Sequence, residues 1–122
     1  MLTVYTAQKH HYDGPDKLDV SSAIGSDLAA PFAPSWKLIR PLTAARRNGG
    51  DIETAWAFFE NDYLMQLRES YRQNRAQWIE LLARSQVTLC CGCDLNQVAE
   101  KCHRLLLANV LVKLGASYKG ER

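Results

Sequence analysis

Long apolar runs are missing from this 122-residue sequence. Nowhere do roughly 18 consecutive apolar residues occur, so no segment reads as a membrane-spanning helix. An export signal is missing as well: Met1-Leu2-Thr3-Val4-Tyr5 leads straight into polar residues, without a basic start, an apolar stretch and a small-residue cleavage site. A cytoplasmic location is therefore expected, where clustered thiols stay reduced and serve as ligands, reactive groups or core rather than as a disulfide framework. Nor does one sign of charge dominate. Fifteen Lys and Arg against 13 Asp and Glu leave a formal net charge of +2, too little by itself to indicate nucleic acid. Internal repeats and low-complexity tracts are absent too.

What is present fits one ordinary domain: 47% hydrophobic and 23% charged residues, in a chain long enough for a single core and too short for two. Leu2 to Ala7 alternates like a strand. Asp13-Gly14-Pro15 is a turn, after which Leu18-Asp19-Val20 reads as a short strand returning beside the first. Ser21 to Pro34, rich in Ser, Gly, Ala and Pro, is a loop of the kind that borders sites. Ser35 is an N-cap candidate for a short helix carrying Trp36, Leu38, Ile39 and Leu42, which Pro41 should break or kink near Arg40 and Asn48-Gly49-Gly50 should end.

From residue 52 to 84, Trp56, Phe59, Tyr63, Leu67, Tyr71, Trp78 and Leu81 recur at helical spacing, with Asp51 as a cap and a bend near Gln73-Asn74. Val87 to Cys91 is an apolar strand. A buried C-terminal helix lies between Leu95 and Leu114, stopped by Gly115 and followed by a polar tail, Tyr118 to Arg122. The expected fold class is α/β: a small, mainly parallel sheet packed by helices, with a long central helical region.

All four cysteines lie between Cys90 and Cys102. Cys90 reads as a small core hydrophobe. Cys91, Cys93, Cys102 and His103 are all metal-ligand types, but C-x-C-x8-C-H is not a standard zinc pattern, and neighbours on a helix point about 100° apart. No cofactor is expected, with zinc as the alternative. If Cys102 lies in the first turn of the last helix, the dipole and Arg104 favour a thiolate there. The same groups suit a ligand phosphate or carboxylate, and this anion reading ranks above covalent catalysis. Arg104 follows Cys102 by two residues, unlike the C-x5-R loop of cysteine phosphatases.

Arg68, Arg72 and Arg75 form a helical stripe, read first as a solvated face and second as a cationic wall. Trp36, Trp56 and Trp78 read as core before base-stacking platforms, and His10 and His11 as exposed loop residues.

Several segments together resemble the DUF488 family of small bacterial and phage proteins of unknown function. They are Tyr5-Thr6-Ala7-Gln8, Tyr12 to Val20, Phe32-Ala33-Pro34-Ser35-Trp36, Met65 to Arg72, Leu89-Cys90-Cys91-Gly92-Cys93 and Cys102-His103-Arg104. The resemblance spans nearly the whole chain. It implies a compact α/β domain in which the strand-end cysteine and the Cys-His-Arg motif lie close together, and it implies no activity. The link from Cys93 to Cys102 is longer than the family's short loop, with Leu95 to Glu100 reading as extra helix.

The function expected from these features is binding of, or action on, a nucleotide-like or phosphorylated small molecule. Cys102 and His103 are the candidate catalytic residues. Arg104, Cys91 and Cys93 complete the floor, Arg68, Ser70, Tyr71 and Arg72 a wall, and Tyr5, Asp19, Ser35 and Trp36 the rim. A non-catalytic nucleotide sponge is an alternative. So is a phage-encoded interaction protein acting on a host protein or on nucleic acid. Acidic residues from Asp51 to Glu80 interrupt any phosphate-backbone groove and disfavour nucleic acid.

Overall fold

The computed structural model describes residues 1–21, 28–92 and 102–122. Cys93 and the helix expected over Leu95 to Glu100 lie outside them. In chain order the elements are β1 (Thr3–Gln8), β2 (Lys17–Asp19), α1 (Trp36–Asn48), α2 (Ile52–Gln73), α3 (Arg75–Leu82), β3 (Gln86–Cys91), α4 (His103–Lys113) and β4 (Ser117–Glu121). The strands form one parallel sheet in the order β2-β3-β1-β4, giving the expected α/β domain.

The central strand β3 is buried from Val87 to Cys91, as befits a parallel strand covered on both faces. Its register with β1 pairs Val4 with Val87 and Thr6 with Leu89, while β2 sets Leu18 beside Leu89. These residues share one face, which meets Phe59, Tyr63 and Leu67 of α2, Trp78 and Leu81 of α3, and Leu107 and Leu111 of α4 in a single core. Asp51 caps α2 by accepting from the Thr54 N–H at 3.1 Å. The helical region bends at Asn74, between α2 and α3, where the periodicity weakens.

Three expectations about elements are corrected. Strand β2 does not lie beside β1; it pairs with the other edge of β3. The eight residues between the strands cross β3 instead of turning back, with the Thr88 N–H donating to the Asp16 carbonyl. The free edge of β1 goes to β4, so Tyr118 to Glu121 is strand and not a polar tail. Finally, α1 runs through Pro41 without ending near Arg40. Proline there removes one hydrogen bond, that to the Lys37 carbonyl, and both residues are exposed, so water replaces it. Ser35 occupies the N-cap of α1 but makes no side-chain cap bond; its backbone N–H donates to Gln66.

The opposite face of the sheet is polar. Arg122 lies 3.7 Å over the Tyr5 ring and donates to the Tyr12 and Thr88 hydroxyls. Asp16 accepts from the hydroxyls of Tyr12 and Thr88 and pairs with Arg122 at 3.4 Å. Burial alone would raise the Asp16 pKa, but those hydrogen bonds and the Arg122 charge outweigh it and hold the carboxyl below its ordinary value of 3.8. A carboxylate whose pKa is depressed by folding contributes stability above its unfolded value and loses it as pH falls through the folded one. The stability gap between wild type and Asp16→Asn should therefore be full at neutral pH and shrink as pH drops below about 3.8. Urea unfolding at several pH values measures this; a gap independent of pH would disprove it.

Candidate functional site

Parallel strands present their carboxyl ends on one edge of the sheet, the usual place for an α/β site. Here β3 ends at Cys91, whose partner on β1 is Gln8. By the alternation along β3, Cys91 shares the helix-covered face with Val87 and Leu89, and Cys90 points to the polar face. Cys102, at the N-cap of α4, brings its sulfur to 2.7 Å from that of Cys91. Both residues are buried.

The first turn of α4 supplies the rest. Arg104 is completely buried, and its Nη1 donates to Cys91 Sγ at 2.9 Å and to Cys102 Sγ at 3.5 Å. The other side of the guanidinium grips Glu121 in a fork, Nε to Oε1 at 3.2 Å and Nη2 to Oε2 at 2.7 Å. These bonds and the sulfurs outweigh the effect of burial, which by itself lowers the Arg104 pKa, and drive it further up.

Glu121 reaches Arg104 because of an irregularity in β4. The register is Val4 to Tyr118, then Tyr5 to Gly120, so Lys119 is an extra residue, and Gly120 takes a φ of 111°. One inserted residue exchanges the two faces of everything after it. Without the bulge Glu121 would face the polar side; with it, Glu121 turns inward to Arg104 and Arg122 outward onto Tyr5.

His103 is buried in the same turn. Its Nε2 lies 2.6 Å from the Val20 carbonyl. A carbonyl only accepts, so Nε2 carries a proton. Tyr63 stands edge-on to the imidazole at 5.8 Å, and its hydroxyl donates to the Phe32 carbonyl. Complete burial, with Cys102 and Cys91 nearby, pushes the Tyr63 pKa well up. Tyr63 is thus a neutral hydrogen-bonding wall.

The structure brings together Cys91, Cys102, His103 and Arg104. The ligand atoms of the two cysteines and the histidine lie within 4.8 Å of one another. That donor set suits a soft cation, while the guanidinium against Cys91 already supplies a positive charge to the sulfur. Cys90 is apart from this cluster: its Sγ contacts the Thr88 carbonyl at 3.6 Å, and burial pushes its pKa up to about 11.

The other candidates have separate engagements. Arg68 and Arg72 are exposed, and Arg72 meets Glu69 at 3.7 Å. Ser70 donates to the Pro31 carbonyl and accepts from Trp78 Nε1, so its hydroxyl serves the core. Tyr71 packs edge-on to Trp78 beneath Arg75. Tyr5 lies under Arg122 on the polar face, and Asp19 accepts from the Ser21 N–H and hydroxyl. Ser35 starts α1, and Trp36 is 51% exposed beside it instead of in the core. Trp56 is partly buried against the core, Trp78 is wholly inside it, and His10 and His11 are exposed as expected.

Sequence reasoning missed Glu121, Tyr63 and the Val20 carbonyl. Tyr63 was visible as a core position at helical spacing. Glu121 had no local signal, since its inward turn depends on a bulge that only pairing with β1 creates. No protein-family model, no curated protein and no solved structure matches this chain. Among the described residues, no helix is long and apolar enough to cross a membrane.

Proposed function

We propose that the protein binds, and in an enzymatic version acts on, a nucleotide-like or otherwise phosphorylated small molecule at the carboxyl end of β3. The observation that carries this reading is the fork from Arg104 to Glu121. A guanidinium takes a bidentate phosphate in the geometry in which it takes a carboxylate. Glu121 is therefore an internal stand-in for a ligand anion, and its side chain is 33% exposed on an edge strand, where it can be displaced. The first-turn N–H groups of α4 add a partial positive charge at the same place. Cys102 or His103 would then act as nucleophile or acid–base group, and Arg104 would stabilise developing negative charge. The DUF488 resemblance belongs to the same proposal and adds no activity to it.

The test is a thermal-shift panel of phosphate, pyrophosphate and nucleotides, with mass spectrometry of small molecules released from the native protein. Glu121→Gln removes the competing charge while keeping an acceptor, so it should bind the phosphorylated ligand more tightly than wild type; Arg104→Met should abolish binding. If wild type and Glu121→Gln both ignore the whole panel, the reading is lost.

A second reading, an interaction protein, is favoured by a different surface. Lys37, Arg40 and Arg47 are exposed along α1, as is Trp36 at its start, and Phe58 of α2 is 69% exposed. Nucleic-acid binding that weakens steeply with salt would support it, and binding insensitive to salt would remove the nucleic-acid version.

A further inference from the structure

The geometry points to Cys91 and Cys102 as a two-electron dithiol centre that reduces small hydroperoxides, an activity beyond ligand binding and independent of it. Disulfide formation needs two sulfurs that meet without moving the backbone far. These two come from the end of β3 and the start of α4 and stand 2.7 Å apart, so closing to a bond of about 2.05 Å takes about 0.7 Å of side-chain rotation. An attacking sulfur must also be an anion, and Arg104 Nη1 donates to both, more closely to Cys91. The Arg104 charge is oriented by Glu121 and cannot swing away from the sulfurs while that fork holds.

Burial selects the co-reactant. Each sulfur-bearing residue is only 1% exposed, which shuts out a protein disulfide and favours a small oxidant such as hydrogen peroxide over a bulky one. Arg104, which already donates to both sulfurs, is the polar neighbour placed to donate to a peroxide oxygen beside them. Cys90 faces the other side of the sheet and takes no part.

The Cys91 thiolate attacks the terminal oxygen of ROOH, the O–O bond breaks, and RO⁻ leaves and takes a proton to become ROH. Cys91 is then a sulfenic acid. The Cys102 sulfur attacks the Cys91 sulfur, the S–O bond breaks, and hydroxide leaves as water with the Cys102 proton. Two thiols lose two electrons and the peroxide gains them. A small-molecule thiol returns the centre to the dithiol by two exchange reactions at the disulfide when the site opens locally.

The full-length protein treated with hydrogen peroxide should lose two thiols per peroxide consumed, and peptide mapping should find Cys91 joined to Cys102. Cys90→Ser should behave like wild type. Cys102→Ser should still consume one peroxide and accumulate a sulfenic acid at Cys91, trapped by a dimedone-type reagent as the protein is unfolded; Cys91→Ser should consume none. Circular dichroism of each variant confirms folding, and wild-type mapping decides the linkage whether or not a variant folds. A disulfide through Cys93 or Cys90, thiol loss no faster than in the urea-unfolded chain, or stoichiometric zinc that blocks oxidation would each overturn the proposal. The nucleotide panel run on reduced protein is unaffected by these outcomes, so failure of one reading leaves the other standing.

Discussion

Glu121→Ala is expected to lower the free energy of unfolding by about 3 kcal/mol, measured by urea denaturation at neutral pH. Arg104 has no exposed surface, and Glu121 takes two of its N–H groups. Removing the carboxylate leaves a buried cation facing two sulfurs, and breaking a buried pair from one side costs roughly 3–5 kcal/mol. The low end applies because Glu121 is 33% exposed and water partly replaces it. Glu121→Gln, which keeps one acceptor, should cost less. Arg104→Met should also cost less than Glu121→Ala, since it removes the charge along with its need for a partner and leaves an apolar chain of similar length. Added inorganic phosphate should restore part of the Glu121→Ala loss by binding only the folded state. A Glu121→Ala protein within about 0.5 kcal/mol of wild type would mean that the fork contributes nothing measurable, as many exposed ion pairs do.

Trp78→Ala should be of comparable or larger effect, a loss of about 3–5 kcal/mol. Trp78 is the largest of the fully buried side chains, with Phe32 edge-on at 4.9 Å and Tyr71 at 5.5 Å. Its indole N–H donates to Ser70 Oγ at 3.1 Å, and Ser70 in turn donates to the Pro31 carbonyl. One side chain thereby ties α3 to α2 and to the segment entering α1. Truncation leaves a cavity that two helices and a loop cannot close together. Trp78→Phe keeps most of the apolar volume and loses the hydrogen bond, so about 1 kcal/mol of the total separates out as polar. Ser70→Ala should cost about 1–3 kcal/mol, because it strips the Pro31 carbonyl and the Trp78 N–H of their partner at once. Equal losses for Trp78→Ala and Trp78→Phe would contradict a packing origin.

Much of this was readable before folding. Period-two alternation marked β1 and the apolar run marked β3, because a strand's burial is written in its own residues. Helical spacing from Trp56 to Leu81 marked α2 and α3, and its lapse near Asn74 marked their junction, since a turn without an apolar residue has nothing to hold it to the core. Asp51 announced its own capping bond. Cys102-His103-Arg104 was legible as the opening turn of a buried helix. Pro41 misled, because the proline penalty is a local rule and an exposed carbonyl meets it with water.

By itself, then, the sequence determined the α/β class, the places of the helices and principal strands, and the identity of the sulfur, imidazole and guanidinium groups. These follow from short-range preference and from which residues are apolar. Only the tertiary structure decided which strand lay beside which, that Tyr118 to Glu121 would pair with β1, and that a single bulge would turn Glu121 toward Arg104. Strand pairing joins residues more than a hundred positions apart, such as Thr6 and Glu121, through backbone groups that every residue carries alike. No local pattern encodes such a choice. It is settled by which edges remain open once the core has closed, and with it the direction in which the buried arginine spends its charge.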